Sequence, residues 1–345
     1  MSGKKKVLVY ECISGGGFAS LEGEGLASPE GEGPDPDLLA QGVAMRDALA
    51  ADLQRLGDVV VSCVASRHAP LPAALASVRC LDVGEGGQTA ADFLAREIPA
   101  HDHVWVVAPE CDDLLAQLSA CVGAERWVGC STPAIRVASS KSATRRCLAA
   151  AGIAVPAAWC PGDPDPAADA GWIVKPDDGA GSVGAYRYVD FDTARDDFLA
   201  RLGGGVASTL EAWIDGIPLS LSLLCCDGRA ELLAINRQHI VSPPGGAVVY
   251  QGVDIGVAPV GGSAGRRLAA LAQQIAAALP GLAGYVGVDV VWPAASLSDN
   301  AAPVVIEINP RVTCAYVGLS AALGRNLAGE ILAADVTEAA QHGLH

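Results

Sequence analysis

The segment VVIEINPR (304–311) alternates apolar residues with polar side chains in the pattern of a β-strand. Residues two apart on a strand point to the same face, so Glu307, Asn309 and Arg311 share one face while Ile306 and Ile308 point to the core. Carboxylate and amide oxygens suit Mg²⁺, and a guanidinium suits the charge of a phosphate. The segment therefore predicts a sheet that carries a magnesium site, with Glu307 and Asn309 as ligands.

A lone acid in a second apolar strand points to the same site. Asp289 lies in YVGVDVVW (285–292) without a polar neighbour. A buried carboxylate is costly unless a cation or a metal ion pairs with it. The alternative interpretation is an ordinary ion pair between Asp289 and Arg311 inside a sheet. Four polar groups on two apolar strands favour the metal site, with Asp289 as a further ligand.

A glycine-rich loop joins two other strand patterns. WIVKP (172–176) and AYRYV (185–189) flank this loop, which contains a G-x-G-x-x-G motif at 179–184. A dinucleotide-binding motif opens a helix, whereas this loop leads into a strand, so we interpret it as a hairpin tip. Bare glycine N–H groups can close over phosphate oxygens, and Lys175 suits the same anion. A flexible tip without a ligand is the alternative.

Composition and charge argue against several classes of partner. The chain has 345 residues, a formal net charge of -16 and 5% aromatic residues. Binders of duplexes or anionic membranes normally carry a basic surface, and single-strand binders carry aromatic platforms, so we expect neither a nucleic acid nor a membrane partner. The 11 cysteines form no C-x-x-C pair, which favours a cytoplasmic location over a disulfide scaffold. The apolar stretch 268–288 contains a Pro-Gly break and is interpreted as a helix, a turn and a strand.

The order of the patterns divides the chain into three parts. Residues 1–135 alternate strand and helix patterns, which predicts a parallel α/β sheet. The strand patterns of this part are residues 7–12, 59–65, 103–110 and 127–130. Residues 136–205 hold a capped helix and the glycine-rich hairpin, and residues 206–345 hold mixed strands typical of an α+β unit. The acidic segment 20–37 is interpreted as a solvated surface loop, with a lid over the substrate as the alternative.

Together these motifs resemble the ATP-grasp superfamily, and the resemblance runs over nearly the whole chain. In that superfamily a helix lysine, a strand lysine before a glycine-rich loop, an acidic hinge strand and a late Asp…Glu-x-Asn-x-Arg set build the site. The resemblance implies a mixed α/β and α+β architecture, in which an ATP-grasp fold follows an N-terminal parallel domain. It also implies ATP as cofactor with Mg²⁺, two ions being expected and Mn²⁺ being the alternative metal.

The resemblance assigns a role to each matching position. Nucleotide-binding residues are Lys141, Lys175, Asp178, Gly179, Gly181, Ser182, Gly184, Glu211, Ala212, Trp213, Ile214 and Asp215. Metal ligands are Asp289, Glu307 and Asn309, and the catalytic cations are Lys141, Lys175 and Arg311. One position departs from the pattern, because Pro218 stands where an acidic residue commonly holds the ribose. Asp215 is the expected substitute.

Two further features are similar to a narrower group, the tyramine–glutamate ligases of methanofuran biosynthesis. The first is the triple glycine in ISGGGF (13–18), and the second is NPRVTCAYVGLS (309–320) with AINRQ (234–238) and YQG (250–252). This similarity implies substrate contacts by Gly15, Gly16, Gly17, Arg237, Tyr250, Arg311 and Thr313.

The implied reaction joins glutamate, activated as an acyl phosphate, to the amine of tyramine or tyrosine, in the biosynthesis of a furan-type one-carbon carrier. A glycine turn at the carboxyl end of a parallel strand can receive a carboxylate through bare N–H groups. Arg237 and Arg311 would match the two carboxylates of glutamate. A ligase for another amino acid pair, such as a D-alanine or peptide ligase, and a non-catalytic ATP-binding module are the alternatives. Small-molecule substrates are the expected partners, and a homodimer is the assembly to be tested.

Overall fold

The fold is described from a computed structural model of the chain. The structure describes residues 3–17, 34–82, 89–166, 171–179, 181–293 and 302–342. Phe18 and most of the acidic segment 20–37 lie outside the described residues. The interpretation of that segment as a loop or a lid therefore stays a prediction.

The N-terminal part is a parallel sheet with helices. Its strands are β1 (Lys5–Glu11), β2 (Val59–Val64), β3 (Arg79–Leu81) and β4 (His103–Val107), in the order β3-β2-β1-β4. The helices of this part are α1 (Pro36–Gln54), α2 (Ala90–Glu97) and α3 (Leu114–Val122). Because neighbouring strands run in parallel, their carboxyl ends open at one edge of the sheet. The connections that follow β1 and β4 therefore lie side by side at this edge.

Two details of this part differ from the sequence prediction. The strand predicted at 127–130 is wrong, because in the described chain only an isolated bridge joins Val104 and Trp127. The Trp127 indole donates to the Cys130 carbonyl at 2.8 Å, so the segment turns back on itself instead of extending. The strand predicted at 103–110 ends at Val107, which places Glu110 in the connection beyond the sheet edge.

Two short helices connect the parallel sheet to the rest of the chain. They are α4 (Thr132–Ser139) and α5 (Lys141–Ala150). α5 begins after Ser140, whose side chain accepts the backbone N–H of Ala143. The Asp177 carboxylate accepts a bond from Ser140 Oγ at 2.6 Å and from the backbone N–H of Ser142 at 2.8 Å. These bonds fix Lys141, the first residue of α5, beside the glycine-rich loop.

A four-stranded antiparallel sheet carries the glycine-rich hairpin. Its strands are β5 (Ala158–Trp159), β6 (Trp172–Pro176), β7 (Tyr186–Tyr188) and β8 (Ser208–Ala212), in the order β5-β8-β6-β7. Helix α6 (Phe191–Gly203) packs against it, and Phe191 makes edge contacts with Trp159 and Trp172 at centroid distances of 5.6 and 5.0 Å. The loop therefore starts from a strand that an aromatic core holds in place.

A five-stranded antiparallel sheet forms the C-terminal part. Its strands are β9 (Gly216–Cys226), β10 (Arg229–Val241), β11 (Val249–Ala258), β12 (Gly284–Pro293) and β13 (Val304–Asn309), in the order β11-β10-β9-β12-β13. The sequence patterns did not include the edge strand β11. Helix α7 (Ser263–Ala278) packs against this sheet, and α8 (Leu319–Leu323) and α9 (Leu327–His342) follow β13. Leu327 of α9 shares a core with Leu49 of α1, which joins the two ends of the chain.

These three sheets confirm the predicted mixture of α/β and α+β structure. Among the described residues, no helix is long and apolar enough to cross a membrane. The stretch 268–288 consists of part of α7, a turn and the start of β12, as its Pro-Gly break predicted.

Candidate active site

One cavity of about 390 Å³ lies where the three sheets meet. The predicted site residues that line it are Lys141, Lys175, Asp178, Gly179, Gly181, Ser182, Glu211, Ala212, Trp213, Ile214, Asp215, Tyr250, Asp289, Glu307, Asn309, Arg311 and Thr313. The predicted residues that fall outside its described lining are Gly15, Gly16, Gly17, Gly184 and Arg237. The fold thus gathers most of the predicted positions, from distant parts of the sequence, around one space.

Lys175 and Glu211 form a buried ion pair in one wall of this cavity. The Lys175 Nζ atom lies 2.8 Å from Glu211 Oε2, and the two side chains are 6% and 3% exposed. They belong to the neighbouring strands β6 and β8, so their positions are set by the backbone hydrogen bonds of the small sheet. An unpaired charge at this depth is costly, and each group therefore holds the other in place. An ammonium has three donors, which leaves Lys175 able to contact a phosphate as well.

The segment 212–214 lines another part of the cavity. The Arg187 guanidinium lies over the Trp213 ring, 4.6 Å from its centroid. The Trp213 indole donates to Asp215 Oδ1 at 2.7 Å, and the same oxygen lies 3.5 Å from Arg187 Nη2. This cluster holds the segment in place. It also means that Asp215, the expected ribose contact, already has two partners.

The glycine-rich loop adopts backbone conformations that favour glycine. Gly179, Gly181 and Gly184 have φ angles of +94°, +71° and +72°. Gly179 and Gly181 line the cavity. Gly184 instead packs on the base of the hairpin, where an added Cβ would lie 3.0 Å from Pro176 Cγ. Gly184 thus shapes the hairpin and lies outside the described cavity wall, and its nucleotide contact stays a prediction.

Lys141 links the glycine-rich loop to the predicted metal ligands. Its Nζ atom donates to the carbonyl oxygens of Asp178 at 3.2 Å and Gly179 at 3.3 Å. The same atom lies 3.7 Å from Glu307 Oε2. Burial lowers the pKa of Lys141, but nearby carboxylates, Glu307 foremost, raise this pKa by more, so the side chain stays protonated. Lys141 is thus a fixed cation between the loop and β13.

The three predicted metal ligands come together on β12 and β13. Asp289 and Glu307 are direct cross-strand partners, and Asn309 Nδ2 lies 3.4 Å from Asp289 Oδ2. Burial, followed by the negative charge of Glu307, raises the pKa of Asp289 to about 7. A divalent cation would relieve the repulsion between two such half-buried carboxylates.

The number of protein ligands at this place suits Mg²⁺. Over the described part of the chain, no group of three or more His, Cys, Asp and Glu side chains is arranged to hold a metal ion. Asp289, Glu307 and Asn309, the predicted ligands, would supply part of a coordination sphere. Mg²⁺ fits such a set, because it usually keeps several waters and substrate phosphate oxygens as ligands.

Two polar residues beside Asp289 were missed by the sequence analysis. Ser220 and Gln238 line the cavity, and both side chains act to lower the pKa of Asp289, against the effect of burial. Ser220 is the direct partner of Asp289 on β9. No local pattern marks these residues, because the order in which antiparallel strands pair is set by the tertiary structure.

Arg311 has a partner that the sequence analysis also missed. Its Nε and Nη2 atoms donate to the two carboxylate oxygens of Glu110 at 2.9 and 2.8 Å. Burial lowers the pKa of Arg311, but the adjacent Glu110 raises this pKa by more. The alternative of an Asp289–Arg311 ion pair is therefore wrong. The available signal was the acidic residue beyond the end of β4, since the carboxyl ends of parallel strands face a crevice.

The glycine turn after β1 does not form the predicted carboxylate site. The Glu11 side chain accepts the N–H groups of Ile13 at 3.1 Å and Ser14 at 2.7 Å. The N–H groups of residues 15–17 donate to carbonyl oxygens of residues 11–13. Because these five N–H groups are used inside the turn, the prediction that Gly15, Gly16 and Gly17 hold a substrate is corrected. Glu11 itself lines the cavity, and burial raises its pKa.

Arg237 lies outside the described cavity lining, and its substrate contact stays a prediction. Strand alternation places its neighbour Gln238 in the described cavity lining and Arg237 outside that lining. Arg237 pairs in register with Leu219 of β9 and Asp254 of β11. Tyr250 does line the cavity, and burial raises the pKa of its hydroxyl, which therefore stays protonated at neutral pH.

Comparison with known families identifies the class of protein. The family model described as an ATP-grasp domain matches residues 138–315, and the model described as a pre ATP-grasp 3 domain matches residues 59–135. The chain therefore belongs to the ATP-grasp family, and the predicted ATP-grasp fold with an N-terminal parallel domain is confirmed. Proteins of this family generally bind ATP and Mg²⁺. No curated protein matches the chain.

Solved structures share this fold at low sequence identity. An ATP-grasp superfamily protein from Archaeoglobus fulgidus has a TM-score of 0.68 and 21% identity, over 95% of this chain and 88% of that one. An L-amino acid ligase from Bacillus licheniformis has a TM-score of 0.63 and 17% identity, over 96% and 74%. The ATP complex of a D-alanine–D-alanine ligase from Bacillus anthracis has a TM-score of 0.60 and 13% identity, over 99% and 100%. At these identities the similarity shows the fold alone.

Proposed function

We propose that the chain is an ATP-dependent ligase that joins glutamate to the amine of tyramine or tyrosine. The observation that carries this proposal is one cavity lined by Lys141, Lys175, Arg311 and the predicted metal ligands. In the proposed reaction a glutamate carboxylate oxygen attacks the γ-phosphorus of ATP, the bond to ADP breaks, and an acyl phosphate forms. The amine nitrogen then attacks the acyl carbon, and phosphate and a proton are released.

The chain's own cations would hold the polyphosphate of ATP. Lys175 is fixed by Glu211, and Lys141 is fixed by two loop carbonyls, so both ammonium groups have defined positions. The N–H groups of Gly179 and Gly181 are free of side-chain cover and can approach phosphate oxygens closely. Phosphoryl transfer depends mainly on positioning and on neutralised charge, which such fixed groups supply.

In this proposal Mg²⁺ would be held by Asp289, Glu307 and Asn309. Two ions are expected, and Mn²⁺ is the alternative metal. The support is the cross-strand pair of carboxylates, in which burial and then the charge of Glu307 raise the pKa of Asp289 to about 7. The bound ion would supply charge stabilisation to the phosphoryl group during transfer. Arg311 would add a guanidinium directed at the same group.

The charge balance of the cavity supports an amine as the second substrate. Its lining carboxylates are Glu11, Asp178, Glu211, Asp215, Asp289 and Glu307, and its lining cations are Lys141, Lys175 and Arg311. Each cation already lies beside a carboxylate, so the net charge of the cavity lining is negative. An ammonium group is favoured in such surroundings. Near α1 the wall also contains Leu38 and Met45, whose apolar surface suits the ring of tyramine.

One observation favours a different amino acid pair as the second candidate. The match between two arginines and the two carboxylates of glutamate requires Arg237, which falls outside the described cavity lining. Arg311 alone would suffice for an acid with a single carboxylate, such as alanine. A ligase for another pair, such as a D-alanine or peptide ligase, is therefore the candidate to test against glutamate.

Product analysis by mass separates the two candidates. The protein is incubated with ATP, Mg²⁺, glutamate and either tyramine or tyrosine, and then with alanine in place of glutamate. A γ-glutamyl amide formed with equal amounts of ADP and phosphate is the expected result. Product from another amino acid pair, with none from glutamate and either amine, would move the assignment to the second candidate.

Dependence of ATP turnover on the amine tests the remaining alternative, a non-catalytic ATP-binding module. A ligase releases ADP and phosphate faster when both acid and amine are present. ATP binding without turnover, for every acid and amine in the screen, would contradict the proposed ligase. The intact set of two carboxylates beside Arg311 supports the ligase, since a module that only binds nucleotide has less need of it.

A further inference from the structure

An ion pair between two sheets involves a residue outside the proposed ligand set. Glu110 follows β4 of the parallel sheet, and Arg311 follows β13 of the five-stranded sheet. Two hydrogen bonds of 2.9 and 2.8 Å join the guanidinium to both carboxylate oxygens. The side chains are 11% and 3% exposed for Arg311 and Glu110. A two-bond pair of this kind fixes the plane of the guanidinium as well as its charge.

The other donors of Arg311 show which edge of the guanidinium stays available. A guanidinium has five N–H groups, and Glu110 takes the Nε–H and one hydrogen of Nη2. Nη1 donates to the carbonyl oxygen of Val312 at 3.2 Å. One hydrogen on each Nη atom is left, and these form the outer fork. Arg311 lines the cavity while Glu110 falls outside its described lining, so Glu110 holds the guanidinium from behind.

Two of the proposed metal ligands, Asp289 and Glu307, are carboxylates that line the same cavity as Arg311. Glu307 acts electrostatically on Arg311, although less strongly than Glu110 does. Asp289 and Glu307 are half-buried cross-strand partners, and the charge of Glu307 raises the pKa of Asp289. A guanidinium released from Glu110 would therefore be attracted to them, because opposite charges attract. Such an ion pair would place a cation where Mg²⁺ is expected to bind.

We propose that Glu110 is a positioning residue for Arg311. It directs the outer fork of the guanidinium into the cavity, and it keeps the guanidinium away from Asp289 and Glu307. This inference rests on the proposed function, which gives Arg311 the transferring phosphoryl group and gives the two carboxylates the metal. Glu110 touches no reacting atom. Arg311 follows a strand of the five-stranded sheet, but through Glu110 the position of its guanidinium depends on the parallel sheet.

The first test uses Glu110→Gln, which keeps the side-chain size and removes the charge. Mg²⁺ is titrated at a saturating concentration of a non-hydrolysable ATP analogue, and binding is followed by calorimetry and by thermal shift. We expect the Mg²⁺ concentration at half-saturation, called the Mg²⁺ midpoint below, to rise about tenfold. We also expect kcat to fall about 10- to 100-fold, which is the usual effect of removing a partner that orients a site residue. The binding readout does not depend on knowing the acid or the amine.

A double variant separates positioning from simple structural support. Glu110→Gln combined with Arg311→Met removes the cation that Glu110→Gln releases. We expect the Mg²⁺ midpoint of the double variant to return to within about twofold of the wild type, while kcat stays as low as in Arg311→Met alone, because the two residues act through one contact. A pair that only stabilises the fold would give no such recovery.

Two further variants serve as controls. Glu110→Asp keeps the charge, so the Mg²⁺ midpoint should stay near that of the wild type. Its shorter side chain displaces the outer fork of Arg311, so kcat should fall. Asp113 lies in the same connection and pairs with Arg136 at 3.3 Å, with side chains 41% and 55% exposed. Asp113→Asn should therefore leave the Mg²⁺ midpoint and kcat unchanged.

Defined results would overturn the proposal. One is a Glu110→Gln protein that melts at a lower temperature while its Mg²⁺ midpoint and kcat stay within twofold of the wild type. Another is an equal Mg²⁺ midpoint in Glu110→Gln and in the double variant. A third is a Glu110→Asp protein with a midpoint as high as that of Glu110→Gln. Failure of the proposed function is distinguishable, since the wild type itself would then show no Mg²⁺-dependent nucleotide binding or no ligation.

Discussion

The parallel sheet and the five-stranded sheet contribute to the cavity in opposite ways. The parallel sheet contributes from strand ends: Glu11, the last residue of β1, lines the cavity, and Glu110, beyond β4, holds Arg311 from outside the described lining. The five-stranded sheet contributes from within its strands, where Asp289 and Glu307 lie on β12 and β13. Parallel strands are covered on both faces and open only at their carboxyl ends, whereas an antiparallel sheet can leave one face for polar side chains.

This difference decides what a sequence pattern reveals about each region. A carboxylate inside an apolar strand is conspicuous, because a buried charge needs a reason. A carboxylate just after a strand is inconspicuous, because charged residues are common in connections. Glu307 was therefore predicted as a site residue and Glu110 was not, although Glu110 holds Arg311, which lines the same cavity as Glu307.

The largest expected effect tests the contribution from within the strands. Glu307→Gln removes one of the two proposed metal carboxylates without changing the strand pattern. We expect kcat to fall by at least about 10³-fold, or about 4 kcal/mol of transition-state stabilisation, while the circular dichroism spectrum is unchanged. Glu231→Gln, an exposed position on β10 of the same sheet, is the matched control and should retain full activity. A Glu307→Gln protein within tenfold of the wild type would remove the metal assignment.

The next effect concerns the buried pair of the small antiparallel sheet. Lys175→Met leaves Glu211 as an unpaired charge at 3% exposure, so we expect the free energy of unfolding to fall by about 3 kcal/mol. The double change Lys175→Met with Glu211→Gln should recover much of this loss, because no buried charge then remains. Urea denaturation of the three proteins measures both values. Equal stability of the wild type and Lys175→Met would show that Glu211 finds another partner or solvent.

A smaller effect is expected at the start of β9, where Pro218 lines the cavity in place of an acidic ribose contact. Without that contact, kcat/KM for ATP and for 2′-deoxy-ATP should differ by less than about tenfold, or about 1.4 kcal/mol. Asp215 already bonds to Trp213, so Asp215→Asn should leave the ratio unchanged. A preference of about a hundredfold that disappears in Asp215→Asn would assign the ribose to Asp215.

The smallest effect is expected at the end of β1. Burial raises the pKa of Glu11, so the folded protein binds this proton more tightly than the unfolded chain does. This contribution to the free energy of unfolding is fully present below a pH of about 4.3, the pKa of a glutamate in the unfolded chain. It is lost as the pH rises through the pKa of Glu11 in the folded protein. Glu11→Gln removes this contribution, so the free energy of unfolding should fall less as the pH rises. Denaturation midpoints of both proteins between about pH 4 and pH 8 check it, and parallel curves would contradict it.

The sequence by itself determined the residues whose roles depend on local pattern. Two-residue alternation placed Glu307 and Asn309 on one face, and the apolar neighbours of Asp289 marked it as a buried charge. A strand, a glycine-rich loop and a second strand in that order placed Lys175 beside a hairpin tip. Periodicity and turn chemistry act over a few residues, so they can be read without knowledge of the fold.

The tertiary structure alone decided the pairings between distant residues. Glu110 and Arg311 meet across two sheets, and Gln238 rather than Arg237 enters the cavity because of the face that β10 turns inward. The glycine turn lost its predicted anion site because Glu11 takes the N–H groups of Ile13 and Ser14. In each case a charged or polar group is satisfied by whichever partner the packed chain brings within about 3 Å, and a linear pattern does not contain that distance.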